Sequence, residues 1–275
     1  MRASGGSLGR TVCALALSGM SSIAPASAAA VLRSAQVTIT VPAPASCRVS
    51  MTLVVDGATS IDHRLEAPDG TLLIGGDALT PCTSSWPWGM FILRLDAGGN
   101  LIASRTVENG DDNAEAFLMD LAVGADGSVF ASGDIQGTVD FDDGPGKVVR
   151  SAGSGAAGFA MKMRPDFSLI AAVKTAANQN FLGLIAPAPG GGLVGVEHHD
   201  NAIFGGVSDP YLVTLDANLA LKSSLRLAGT YSYVNGLAVG GGVIAVVGTG
   251  PANEYIPGAS GDTVPNGLFL ARYRF

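Results

Sequence analysis

The 275-residue sequence is short of positive charge: four lysines and twelve arginines stand against 23 acidic residues, for a formal charge of −7. Phosphate backbones are bound by clustered Lys and Arg, and no such cluster occurs, so nucleic acid is not an expected partner. Histidine is equally scarce, with three in the chain, and no Cys or His group has zinc spacing. The G-x-S-x-G elbow, the phosphate-binding P-loop and the H-E-x-x-H pair are also missing. Their absence leaves enzymatic activity without support from any motif. Long hydrophobic runs are missing too, and no window beyond the first thirty residues is apolar for long enough to form a membrane helix.

Residues 1–29 read as an export signal. Arg2 and Arg10 form a positive start, "TVCALALSGM" a short apolar core, and "APASAAA" a small-residue cleavage site. Cleavage would leave residues 30–275 as one domain with 14 basic and 23 acidic residues, a formal charge of about −9. The expected destination is the periplasm, the cell surface or the medium. Of the three cysteines, Cys13 departs with the signal. Cys47 and Cys82 are then either one disulfide, closing a loop of roughly 35 residues and contributing about 3 kcal/mol, or two free thiols.

What the sequence has in plenty is glycine, 38 residues without a Gly-X-Y period, and side chains that alternate. "FILRLDAGGNLIASRTV" (91–107), "FAMKMRPDFSLIAAVKT" (159–175), "YLVTLDANLALKSSLRL" (211–227) and "FLARYRF" (269–275) share an anchor aromatic: Phe91, Phe159, Tyr211 or Phe269. Within each copy a period of two predicts a strand, and the first three copies run through a polar turn into a second strand. Upstream of each lies a further hairpin: "LEAPDGTLLIGG" (65–76), "LAVGADGSVFASG" (121–133), "IAPAPGGGLVGVE" (185–197) and "LAVGGGVIAVVG" (237–248). Their turn glycines Gly70, Gly127, Gly191 and Gly241 supply the positive φ that a tight connection needs.

Two hairpins make a four-stranded antiparallel unit, present four times. Such a unit must stack on its neighbours to bury both faces, and radial stacking is a β-propeller. The second copy, "LAVGADGSVFASGDIQGTVDF" followed by "SAGSGAAGFAMKMRPDFSLI", resembles the bacterial β-propeller repeats abbreviated SBBP over nearly its whole length. The other copies match mainly in the hairpins, and Ala103, Ala171 and Ser223 stand where the family favours Trp. The resemblance implies the architecture and no single activity. The expected fold is therefore all-β: a four-bladed propeller of four-stranded antiparallel sheets. The last copy lacks an outermost strand, and "QVTITV" (36–41) or "VSMTLVV" (49–55) is expected to close it from the amino-terminal side.

Propeller topology puts the short Gly-rich turns at one end and the long, varied connections at the other, where binding residues concentrate. Three groups there are candidates. Asp140, Asp142 and Asp143, with Asp111, Asp112 and Glu115 in a neighbouring connection, offer hard oxygen ligands that suit calcium, although their spacing is not that of a D-x-D-x-D-G loop; a solvated acidic loop is the alternative. His198, His199 and Asp200 invite an acid-base or metal reading, but adjacent residues of an extended strand point to opposite sides. Trp86 and Trp88, joined by Tyr231, Tyr233 and Tyr255, suit stacking on a sugar ring, anchoring of a protein partner, or plugging of the axial end. The function expected is an exported binding or interaction module for a protein or glycan on the long-loop face. The alternatives are a glycosidase-like enzyme using Asp112 with Asp142, for which carboxyl separations of about 5 or about 6.5 to 9.5 Å are required, and a purely structural repeat.

Overall fold

The protein is seen in a computed structural model that describes residues 35–41, 49–55, 63–79, 88–109, 114–142, 146–175, 180–201, 207–227, 233–250, 263–264 and 268–274. For residues 35–41, 49–55, 63–64, 78–79, 88, 108–109, 180, 200–201, 207–208 and 263–264 the description is of the backbone alone. The signal segment, Cys47, Cys82, Trp86, Asp111, Asp112, Asp143, Tyr231 and Tyr255 lie outside the described residues.

The chain is all-β, and the described residues contain no α-helix. The first sheet is β3 (His63–Glu66), β4 (Leu72–Leu79), β5 (Trp88–Leu95) and β6 (Leu101–Asn109), with β1 (Ala35–Val41) and β2 (Val49–Val55) preceding it in sequence. The second is β7 (Glu115–Val123), β8 (Val129–Asp140), β9 (Val149–Met163) and β10 (Leu169–Lys174). The third is β11 (Asn180–Pro187), β12 (Leu193–Asn201), β13 (Val207–Leu215) and β14 (Leu221–Arg226). The fourth joins β15 (Tyr233–Gly240), β16 (Val243–Thr249) and β18 (Leu268–Arg274), with the two-residue β17 (Thr263–Val264) against the start of β18. All neighbours in the four sheets are antiparallel.

The turns follow the sequence chemistry. Gly70, Gly127, Gly191 and Gly241 all have positive φ, between 59° and 80°. In the first two hairpins the aspartate before the glycine accepts the backbone N–H two residues on, Asp69 from Thr71 and Asp126 from Ser128, which fixes the turn locally. The Thr71 hydroxyl and then its N–H hold the Asp69 carboxyl below the usual carboxylate range, and the Ser128 N–H and then its hydroxyl do the same for Asp126.

The second and third sheets each have a rear face toward the preceding sheet and a forward face toward the following one, the first sheet packing its forward face on the second and the fourth its rear face on the third. Leu73, Met90 and Ile92 on the forward face of the first sheet pack with Val129, Phe159 and Met161 of the second. Phe130 and Ala160 pack with Val213 and Leu215 of the third, and Val196 and Leu212 with Phe269, Ala271 and Tyr273 of the fourth. The first strand of each later sheet, β7, β11 or β15, lies against the sheet before it. Alternation along the central strands thus supplies both faces of every interior sheet.

Two expectations are corrected. Neither amino-terminal strand closes the fourth sheet: β1 pairs with β2 over all seven positions, from Ala35 opposite Val55 to Val41 opposite Val49. β18 instead has β16 and β17 as its neighbours. Two complementary β-branched strands close in sequence form a hairpin at a lower loop-closure cost than a pairing across the whole domain. Two connections read as irregular loops are also extended strand pairs. Beyond Gln136 the ladder resumes at Thr138 opposite Ser151 and runs to Asp140 opposite Val149, and β12 and β13 stay paired to Asn201 opposite Val207. Asp140 and Val139 also pair with Glu108 and Asn109, which joins the first two sheets.

Candidate functional site

The register places every anchor aromatic opposite one residue of the neighbouring strand. Phe91 faces Gly76, Phe159 faces Gly133 and Phe269 faces Gly248. A side chain at Gly133 would collide with the Phe117 carbonyl, and one at Gly248 with the Tyr233 carbonyl and the Phe269 ring. In the third sheet the partner of Tyr211 is Glu197, a buried carboxylate with 3% exposure. Burying a carboxylate is costly unless donors reach it, so its surroundings are specific.

Thr175, just past β10 in the second sheet, donates its hydroxyl to Glu197 Oε1 at 2.5 Å. Thr175 is held by its own N–H on the Gly158 carbonyl at 2.8 Å, and a Cβ at Gly158 would crowd its hydroxyl. On the other side, His199 Nε2 lies 3.2 Å from Glu197 Oε2. The His199 ring is stacked on Tyr211 at 4.2 Å and 20° between planes. Directly opposite His199 in the ladder is Asp209, whose Oδ2 is 3.0 Å from Arg226 Nη2. Arg226 in turn pairs with Tyr211. Glu197, His199, Asp209 and Tyr211 therefore share the rear face of the third sheet at the end where β12 and β13 approach their connection.

The His199 ring is held by its stack on Tyr211 and by the nearby Glu197 carboxylate, while Nε2 makes no hydrogen bond among the described residues. Since Nε2 is shielded from solvent while the side chain is 36% exposed, the accessible part of the ring is its other atoms. The Thr175 hydroxyl is committed to Glu197, so the group holds a histidine, two carboxylates and an arginine, with no hydroxyl of Thr175 free to act as nucleophile.

The sequence candidates are distributed otherwise. His198 is buried on the forward face and stacked on Phe181 at 4.8 Å, so the two histidines do not converge. Asp200 and Trp88 are placed by backbone only, Asp200 opposite Ser208 and Trp88 opposite Leu79. Tyr233 is exposed on the fourth sheet. Asp140 Oδ1 accepts the N–H groups of Asp142 at 3.1 Å and Val148 at 3.0 Å, a turn-forming role. Among the described residues no group of three or more His, Cys, Asp or Glu side chains is arranged to hold a metal ion. Among the described residues no helix is long and apolar enough to cross a membrane.

Sequence reasoning missed Thr175, Glu197, Asp209, Tyr211 and Arg226 as a group. Glu197 was within reach: aligning "LIGGD", "FASGD" and "VGVEH" on the turn glycines Gly70, Gly127 and Gly191 puts Glu197, six residues on, in a column otherwise filled by glycine. A second missed group joins the first two sheets. Asp134, 8% exposed, has its carboxyl pushed up to about 6 by burial and then by the charges of Asp77 and Glu115. Asp77 itself receives the Leu118 N–H at 2.8 Å. No protein-family model matches the chain, and no curated protein matches it.

Proposed function

We propose that the chain is an exported binding module built from four blades of the SBBP type, stacked radially in the manner of a propeller, with its ligand site at the long-connection end of the third blade. The reading of the architecture is supported by the common rear-to-forward packing of the four sheets. The functional reading is carried by one observation: a buried glutamate occupies the position that the other three sheets give to glycine, and its Oε2 lies 3.2 Å from His199 Nε2. A repeat that departs from its own rule at the cost of burying a charge does so for a local purpose.

The ligand chemistry that suits His199 with the Asp209–Arg226 pair is a hydroxyl-rich glycan, which exchanges hydrogen bonds with both donors and acceptors. The glycosidase alternative rests on Asp112 with Asp142, and Asp112 lies outside the described residues.

A glycan array probed with the processed chain tests the proposal. Wild-type protein binds a defined subset, and His199→Ala loses it while far-UV circular dichroism and thermal midpoint hold. Equal binding by His199→Ala moves the site elsewhere; no glycan bound, with a protein captured instead through the same residues, replaces the glycan by a protein ligand.

A further inference from the structure

The first strands of the second, third and fourth sheets carry the same irregularity. The ladder slips by one residue between Leu118 and Asp120 in β7, between Leu182 and Ile185 in β11, and between Val234 and Gly236 in β15. A slip of one reverses the side to which later residues point, so two residues three positions apart share a face. Leu118 and Leu121 accordingly pack on the first sheet, Leu182 and Ile185 on the second, and Val234 and Leu237 on the third. The residues at the slips are Met119, Gly183 with Leu184, and Asn235. Of these, Met119 alone carries an oxidisable sulfur.

Burial separates Met119 from the other methionines whose side chains are described. Met90, Met161 and Met163 are 1%, 0% and 0% exposed, while Met119 is 37% exposed. An oxidant dissolved in water reaches a thioether only where the fold leaves it open, so three sulfurs are shielded and the fourth is presented.

The two chain neighbours of Met119 tie β7 to the sheets on either side. The Leu118 N–H donates to Asp77 Oδ1 of the first sheet at 2.8 Å. Asp120 Oδ2 accepts the Ile185 N–H of the third sheet at 2.9 Å, and its Oδ1 accepts the Leu121 N–H at 2.8 Å. Met119 is the residue between these ties. Oxidation makes its apolar side chain polar and adds an oxygen that accepts hydrogen bonds, in competition with both carboxylates for backbone N–H groups.

We infer that Met119 is a reversible oxidation site for peroxide-type oxidants, and that its sulfoxide loosens β7 from the first and third sheets. The sulfur attacks one oxygen of hydrogen peroxide, so that an S–O bond forms and the O–O bond breaks. The departing hydroxide takes the proton of the transferred oxygen and leaves as water. Sulfur gives up the two electrons that the peroxide gains.

Brief treatment of the processed chain with hydrogen peroxide, read by peptide mass spectrometry and by native-state hydrogen exchange, tests this. Met119 is expected to gain one oxygen roughly tenfold faster than Met90, Met161 or Met163, whose oxidation waits on local opening. In the oxidised protein, exchange at the Leu118 and Ile185 amides rises several-fold, and methionine sulfoxide reductases reverse both changes. Met119→Leu keeps an apolar side chain at an exposed position, and its amides do not respond to peroxide. Oxidation spread evenly over the four methionines overturns the inference. So does a Met119 sulfoxide that leaves both amides unchanged, or a response to peroxide that Met119→Leu shows equally.

Discussion

Glu197 on β12 stands directly opposite Tyr211 on β13, at the ladder position where each of the other three sheets sets a phenylalanine against a glycine. The substitution turns a steric clearance into a polar centre whose neighbours come from two sheets: the Thr175 hydroxyl, which donates to it, from the second, and His199 Nε2, 3.2 Å away, from the third.

Removing the Thr175 hydroxyl leaves a buried carboxylate one donor short. Thr175→Val is expected to lower stability by about 1 to 3 kcal/mol, because the valine keeps the volume and deletes only the hydrogen bond. Urea unfolding reads the midpoint shift. Combined with Glu197→Gln, the valine should cost less than it does alone, since the uncharged amide tolerates the missing donor.

Asp134 gives a pH dependence of defined sign. Its carboxyl titrates at about 6 in the fold against 3.8 for the unfolded chain. Between those values the native state holds a proton that the unfolded state has released, so stability falls as pH rises from about 4 to about 6. It stays lower above that by up to about 3 kcal/mol. Asp134→Asn should remove this decline and raise the neutral-pH midpoint. The turn carboxylates Asp69 and Asp126 act in the opposite sense: their contribution is lost as pH falls through their lowered values. The difference between wild type and Asp134→Asn across a pH series isolates the Asp134 part, and parallel curves would count against it.

Tyr273 is buried between the third and fourth sheets with a hydroxyl that finds no hydrogen-bond partner among the described residues. Tyr273→Phe is accordingly expected to be neutral or to stabilise by about 1 kcal/mol. Burial also pushes the phenol up to about 12 from 10.0, so wild type loses stability as pH climbs between those values while the phenylalanine variant does not. Thermal denaturation at neutral and alkaline pH distinguishes the two.

Lys162 bridges sheets through carbonyls that nothing else is shown to satisfy, and its ammonium lies 5.4 Å from the centre of the Phe130 ring. Lys162→Met preserves the stem and drops the charge. The expected cost is about 1 to 3 kcal/mol, with hydrogen exchange accelerated at the Gly191 and Ala217 turns and little changed in the first sheet.

Where the chain becomes strand was legible from period-two alternation, and where it turns from Asp-Gly and Gly-Gly pairs, because both depend on residues a few positions apart. The hairpin turns around Gly70, Gly127, Gly191 and Gly241 fall where those pairs stand. The extra ladder from Thr138 to Asp140 was hidden because "GTVDF" and "KVVRS" are separated by a turn rich in Asp, Gly and Pro that reads as loop.

By itself the sequence determined an all-β chain of repeated antiparallel hairpins, since side-chain alternation and turn chemistry are local and survive any arrangement of the sheets. Only the tertiary structure decided that β1 takes β2 as its partner, that Thr175 meets Glu197, and that Arg94 and Lys162 reach into the next sheet. Those contacts depend on how one sheet is offset against another. That offset is set by the summed packing of whole faces, a quantity no short stretch of residues carries.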